Sequence, residues 1–214
     1  MEKIEKIQAK HYTPGRRNGA RPLWVVIHTA ECSEVFSAAE SLAAWAARGM
    51  PAGSRVSWHY AVDADSIVQS VEESDTAWAA GPANTHGIHI ELAGRANQSA
   101  AQWDDEFSRA TLDRAAELVA AICERWQVPI SRPITESVMR LEAGIIGHDQ
   151  VSYASQMARR QVRRVEPWYL AGQWRTTTHI DPGPSFPWER FLELVRSHGS
   201  KKPCESSFVE QVKA

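Results

Sequence analysis

The segment Thr178-His179-Ile180-Asp181-Pro182-Gly183-Pro184-Ser185-Phe186-Pro187-Trp188 constrains this chain more than any other stretch. Prolines on both sides of Gly183 make a stiff turn that neither a helix nor a central strand can run through. The residue before a proline is pushed towards extended backbone, so the Asp181 carboxylate is fixed in space. His179 lies two residues earlier, and in an extended segment the two side chains share a face. Ser185 is placed to cap a helix over about 186–197, with Pro187 tolerated in its first turn. An imidazole and a carboxylate on one face, anchored by a Pro-Gly turn, are the materials of a metal or acid/base site.

The 214 residues suffice for one well-buried domain. A net charge of −2 offers no whole-molecule argument for nucleic acid or an anionic membrane surface, and no apolar run approaches the length of a span. The charged start, Met1-Glu2-Lys3-Ile4-Glu5-Lys6, has no apolar core of a signal peptide, so synthesis in the cytosol is expected. Cys32, Cys123 and Cys204 are odd in number and widely spaced, which argues against a disulfide framework or a cysteine-based zinc ribbon. The nine tryptophans suit either a large core or the walls of a carbohydrate or peptide cleft. Nothing in the sequence demands more than a monomer.

Residues 1–21 read as a polar entry loop. Leu23-Trp24-Val25-Val26-Ile27-His28 is a buried strand with a histidine at its end. Helical spacing of apolar residues predicts a helix over 33–48, stopped by Gly49. Residues 56–63 alternate as a strand, 64–66 turn, and 67–71 return. In Gly87-Ile88-His89-Ile90-Glu91-Leu92, the aliphatic residues take one face, and His89 and Glu91 the other, which reads as the solvent side. A helix over about 108–126 carries the strongest apolar stripe. Ile145-Ile146-Gly147-His148 is a short strand ending in a second histidine. Residues 153–177 have no clear pattern beyond a basic stretch with Arg159, Arg160, Arg163 and Arg164. That stretch reads as the solvated face of a helix, or as a contact for anionic wall polymers. The residues after Gly199 form a polar tail. This order predicts one α/β domain, a central mixed sheet flanked by helices.

His28, His148 and Asp181 fall at strand ends or beside the rigid turn. Two neutral imidazoles and one carboxylate make an open catalytic zinc shell with room for water. Glu91 is then placed to act as general base and acid, and His179 to donate a hydrogen bond to an oxyanion. Each of these residues also has a bland reading, as a satisfied strand-end histidine, a turn aspartate or a solvated glutamate.

Several motifs in chain order settle the choice. They are Trp24-Val25-Val26-Ile27-His28-Thr29-Ala30, Val56-Ser57-Trp58-His59-Tyr60, Ala77-Trp78-Ala79-Ala80-Gly81, Ile88-His89-Ile90-Glu91-Leu92, Gly147-His148-Asp149 and His179-Ile180-Asp181-Pro182-Gly183-Pro184-Ser185-Phe186. Together they resemble the type 2 N-acetylmuramoyl-L-alanine amidases, whose fold is shared with peptidoglycan recognition proteins. The resemblance spans about residues 22–196 and implies a catalytic domain over 22–198. It implies a Zn2+ ion on His28, His148 and Asp181, and Glu91 in the place of the family's catalytic glutamate. His179 stands where many members carry a lysine, and Ala79 where some carry a histidine. Trp58, His59 and Trp78 match the pattern as residues near the substrate, with Trp58 read as a cleft wall; packing is an equally good account of His59 and Trp78. The implied substrate is peptidoglycan, cut between N-acetylmuramic acid and L-alanine. The lack of a leader and the single small domain resemble a phage endolysin acting on the wall after release. A cytosolic amidase that recycles muropeptides, or a module that binds peptidoglycan without cutting it, are the alternatives.

Overall fold

A computed structural model describes residues 4–49 and 55–200. Its centre is a six-stranded mixed sheet in the order β1-β4-β3-β5-β2-β6. The strands are β1 (Glu5–Lys6), β2 (Trp24–Thr29), β3 (Tyr60–Val62), β4 (Ile67–Gln69), β5 (Gly87–Leu92) and β6 (Gly144–Gly147). β2 runs parallel to both β5 and β6, β3 runs parallel to β5, and only the β3–β4 hairpin is antiparallel. The helices are α1 (Ala38–Arg48), α2 (Glu106–Trp126), α3 (Thr135–Met139), α4 (His148–Arg160) and α5 (Trp188–Gly199). A small hairpin, β7 (Tyr169–Leu170) and β8 (Gln173–Trp174), stands apart from the sheet.

Alternation along the strands divides the core. Val25, Ile27, Ile88, Ile90, Leu92 and Ile145 point to one face and pack on the stripes of α2 and α5. Trp24, Val26 and Ile146 point to the other face, under α3 and α4. Ala61 and Val68 lie on that same side further along the sheet, under α1. One face is thus sealed by two long helices. The other is covered at its two ends, with His28, His89 and Glu91 between.

Several boundaries differ from the sequence expectation. The entry segment contributes β1, which pairs in parallel with β4. The helix expected from Ser33 begins at Ala38 because residues 31–36 are tied to the 94–98 loop instead. Cys32 N–H donates to the Gly94 carbonyl, and Glu31 Oε1 accepts from Ala96 N–H at 2.8 Å. Val35 and Phe36, expected on the buried stripe, are exposed. The strand expected over 56–63 forms a ladder only at Tyr60–Val62, although Ser57 and His59 still donate to the carbonyls of Trp78 and His89. α2 starts two residues early, where Asp105 caps it by accepting from Ser108 N–H at 2.8 Å.

The strand expected to end in His148 stops at Gly147, and His148 opens α4. Ser185 does not cap α5. Phe186 is pulled into the core against Trp103, Phe191 and Trp188, and the helix starts only at Trp188. The stretch without pattern holds the end of α4 and then the β7–β8 hairpin. Its loop, Ala171-Gly172, has positive φ at both positions, as a two-residue hairpin turn requires. Trp24, Trp103 and Trp168 are fully buried, so these tryptophans serve the core. Cys32 and Cys123 are free thiols, and Cys204 lies outside the described residues. Among the described residues no helix is long and apolar enough to cross a membrane.

Candidate active site

The register of the parallel strands brings the site together. His28 in β2 lies directly opposite Glu91 in β5. On the other side Ile27 lies opposite Gly147, so His148 follows one residue beyond the ladder. Carboxyl ends of adjacent parallel strands are where α/β folds carry their chemistry. The Pro-Gly turn then delivers Asp181 from the C-terminal part of the chain, and Asp149 N–H donates to the Asp181 carbonyl at 2.9 Å. Two glycines permit this approach. A Cβ on Gly147 would stand 2.2 Å from Asp149 Oδ1 and 2.7 Å from Pro182 Cδ. A Cβ on Gly183, whose φ is +99°, would stand 1.8 Å from the Ala96 carbonyl oxygen.

His28, His148 and Asp181 are all buried, and one ligand atom from each lies within 4.8 Å of the others. His28 Nδ1 is 2.9 Å from Asp181 Oδ2, and His148 Nδ1 is 3.4 Å from Oδ1. Burial pushes the Asp181 carboxyl up, but hydrogen bonds from His148 and His28 outweigh it and hold the group far below the usual carboxylate range. Burial likewise lowers His148. His148 Nε2 contacts Thr177 Oγ1 at 3.2 Å, which orients the ring from behind.

The His179 ring stacks on His148 with centroids 4.3 Å apart and planes 10° from parallel. Its Nδ1 faces Asp181 Oδ1 at 3.6 Å while most of the side chain stays exposed. Burial and the neighbouring His148 lower its pKa, so at neutral pH it offers an N–H and no full charge. Glu91, beside His28 on the adjacent strand, lines the same cleft and is half-buried. Desolvation, reinforced by the carboxylates of Asp181 and Glu31, pushes it up to about 8. A carboxyl poised near neutrality is suited to both accepting and returning a proton.

These residues line an open cleft of about 250 Å³, whose far wall includes Trp45 and Trp58. The two indoles stack with centroids 6.3 Å apart. Beyond His179 and Asp181 a second groove of about 470 Å³ continues past Asn97 and Ile180.

Two expected substrate-side residues are not brought to the cleft. His59 has no exposed surface and does not line it. Its Nδ1 accepts from His89 N–H at 3.0 Å, and burial, then Arg16, lowers its pKa to about 3. Trp78 borders a separate small pocket with Pro82 and Leu170, and its indole N–H donates to Thr13 Oγ1.

One residue that the sequence reading left on the surface is at the centre. His89 is fully buried, its Nδ1 3.1 Å from His28 Nε2. A strand with parallel partners on both sides is covered on both faces, so alternation alone does not mark a solvent side. That β5 is such a strand is the signal that would have found His89.

The chain is similar to known proteins in sequence family and in fold. The family model for N-acetylmuramoyl-L-alanine amidase matches residues 18–184. The hydrolase AmiA of Staphylococcus aureus is similar in fold, with a TM-score of 0.60 at 15% identity over 92% of this chain and 83% of that one. A mutant endolysin from Bacillus subtilis gives 0.54 at 16%, covering 91% and 99%. A selenomethionine derivative of AmpD gives 0.54 at 22%, covering 91% and 96%. No curated protein sequence matches the chain. A family model that spans most of the chain, over a fold whose strand ends gather histidines and carboxylates, identifies it: the chain belongs to the N-acetylmuramoyl-L-alanine amidases.

Proposed function

We propose that this amidase is zinc-dependent, with His28, His148 and Asp181 as the metal ligands and Glu91 and His179 as the catalytic residues. The donor set fits the metal. Zn–N and Zn–O bonds of about 2.0–2.2 Å in a tetrahedron put ligand atoms roughly 3.3–3.6 Å apart. His28 Nδ1 lies 2.9 Å from Asp181 Oδ2 and His148 Nδ1 3.4 Å from Oδ1, and one ligand atom from each residue lies within 4.8 Å of the others, so small side-chain shifts would close the three on an ion. Two neutral imidazoles and one carboxylate leave a further position open to the cleft, as catalytic sites do. When bound there, zinc supplies Lewis acidity, polarising the amide carbonyl and acidifying a water.

The protein groups do the rest. Glu91, in its ionised form, takes the proton of the attacking water; burial holds the metal-free group up at about 8, and a cation held by the neighbouring ligand cluster would favour the ionised form. His179, whose Nδ1 lies 3.6 Å from Asp181 Oδ1 and whose side chain is mostly exposed, donates an N–H to the developing oxyanion. Glu91, now protonated, gives its proton to the departing L-alanine nitrogen, and the C–N bond breaks. The Trp45 and Trp58 wall gives the sugar and stem peptide an apolar surface to lie against.

The observation that carries this reading is the convergence of three buried ligand atoms beside a glutamate held near pH 8. Glu91→Ala should lower kcat by about 10²–10⁴-fold while zinc stays bound at one equivalent. A variant that turns over at the wild-type rate would remove Glu91 from the mechanism.

We infer further that the substrate is the polymeric wall and the role endolysin-like. The cleft is open, and a second groove continues past Asp181, so a long glycan chain need not end at the site. Purified sacculi and soluble anhydro-muropeptides, offered at equal amide concentration, separate this from a recycling role. Faster cleavage of the soluble fragments would favour recycling.

A further inference from the structure

We propose that His89 is a positioning residue for the metal site: its Nδ1 accepts a hydrogen bond from His28 Nε2–H and so fixes the one tautomer of His28 that can bind metal through Nδ1. The inference rests on the zinc reading above and adds a residue to it.

The argument starts from the two nitrogens of His28. Nδ1 faces Asp181 and the ligand cluster, so it is the atom that would bind. A neutral imidazole that gives one lone pair to a metal carries its proton on the other nitrogen. Nε2–H of His28 is buried and needs an acceptor. The atom at hand is His89 Nδ1, 3.1 Å away. With the rings tilted 48° to each other, this is a hydrogen bond between imidazoles and not a stack.

For Nδ1 of His89 to accept, His89 must keep its own proton on Nε2. The fold gives that proton room. Nε2 has no hydrogen-bond partner among the described residues and occupies the space beside Gly87. A Cβ on residue 87 would stand 2.8 Å from Nε2 and 2.9 Å from the Ala83 carbonyl oxygen, so only glycine leaves room for the ring. Gly87 and His89 are two apart on β5 and share a face, and the missing side chain of one makes room for the ring of the other. On the far side, the His59 ring stacks on His89 at 5.7 Å and 19°. His59 Nδ1 also accepts the His89 backbone N–H, which fixes the strand at this point. The ring is therefore held from two sides, with only Nδ1 turned towards the ligand. Metal-ligating histidines ordinarily hand their second N–H to a carboxylate or a carbonyl. Here an imidazole takes that place.

The test is zinc affinity, measured by competition with a chromophoric chelator, for wild type, His89→Leu and His89→Asn. The amide oxygen of Asn stands close to where Nδ1 was, whereas Leu fills the space with no acceptor. We expect His89→Leu to bind zinc about 10–100-fold more weakly, and His89→Asn to recover most of the loss. Equal weakening in both variants would make His89 a packing residue only and overturn the proposal. So would wild-type affinity in His89→Leu. Should Leu prevent folding, His89→Gln replaces it as the contrast, because its carbonyl reaches the Nε2 end instead. A second readout needs no variant. In ¹⁵N-histidine spectra of the zinc-loaded wild type, His28 should be protonated on Nε2 and His89 Nδ1 should be unprotonated; a protonated His89 Nδ1 would overturn the proposal. Wild-type protein that binds no zinc would instead overturn the metal reading itself, which keeps the two failures distinct.

Discussion

Glu91 sits where a carboxylate resists ionisation, on the floor of a cleft with Asp181 and Glu31 nearby. Its pKa rises from 4.5 to about 8 in the fold. Between those values the folded chain holds a proton that the unfolded chain releases. In metal-free protein this glutamate therefore costs stability that grows as pH rises through the window and is absent below it. Glu91→Gln removes the cost. Metal-free Glu91→Gln should exceed wild type by about 1–3 kcal/mol at pH 7.5, the lower part of the range reflecting partial exposure, and match it near pH 4.5. Urea melts at the two pH values check this, and equal stability at pH 7.5 would mean that Glu91 ionises freely. Asp181 has the opposite sign. Its depressed pKa gives stability that is present above the ordinary carboxylate range and lost as pH falls towards the acid limit.

The residue scale is also where the sequence spoke most clearly and where it misled. His28, His148 and Asp181 are marked by position, at strand ends and before a proline, and the fold brings them within 4.8 Å. His89 and His59 carry no such mark. Their burial depends on what covers the second face of the sheet, which local alternation does not contain.

At the scale of elements, the site depends on two tight junctions. One joins β6 to α4 through Gly147, and the other is the turn after Asp181 through Gly183. Gly183→Ala must both hold an L residue at φ +99° and move the Ala96 carbonyl. It should lower stability by ~2 kcal/mol or more and weaken zinc binding, because Asp181 rides on the displaced turn. Gly172→Ala is the comparison. It also has positive φ, +79°, but nothing lies within 4 Å of its Cβ position, so only the backbone cost of ~1 kcal/mol applies, with zinc affinity unchanged. Thermal melts and chelator competition on both variants check the contrast. If the two variants match, the close approach at Ala96 is not what holds the turn.

Elements with strong apolar periodicity were readable in advance. β2, β5 and α2 fall where alternation and the helical stripe put them, give or take two residues at an end. Boundaries set by tertiary bonds were not. The 31–37 segment has helical spacing, yet Glu34 Oε1 accepts from Ser108 Oγ at 2.7 Å and from Gln98 Nε2 at 3.0 Å, which holds it outside the helix. Phe186 has more to gain from a buried place beside Trp103 than from a first helical turn. The β7–β8 hairpin is too short for two-residue alternation to show.

At the scale of the whole molecule, one sheet face is sealed by α2 and α5 and gives the chain its largest apolar core. The other face is closed at both ends and left polar at the middle, where the strand ends of β2 and β5 meet the turn carrying Asp181. This division lets one small domain keep a rigid scaffold and an open reacting face together. It also predicts how the protein responds to loss of metal. With the scaffold built on the opposite face, removing zinc should abolish activity while leaving the folded core intact, so near-native secondary structure should persist by circular dichroism after chelation. Global unfolding on chelation would show that the ligand cluster holds the fold itself.

The most direct measurement is release of stem peptides beginning with L-alanine from purified sacculi, read by mass spectrometry, with chelator and with zinc restored. The account predicts cleavage between N-acetylmuramic acid and L-alanine that stops with chelator and returns with zinc. Cleavage that continues at full rate in excess chelator, in protein shown to be free of zinc, would contradict it.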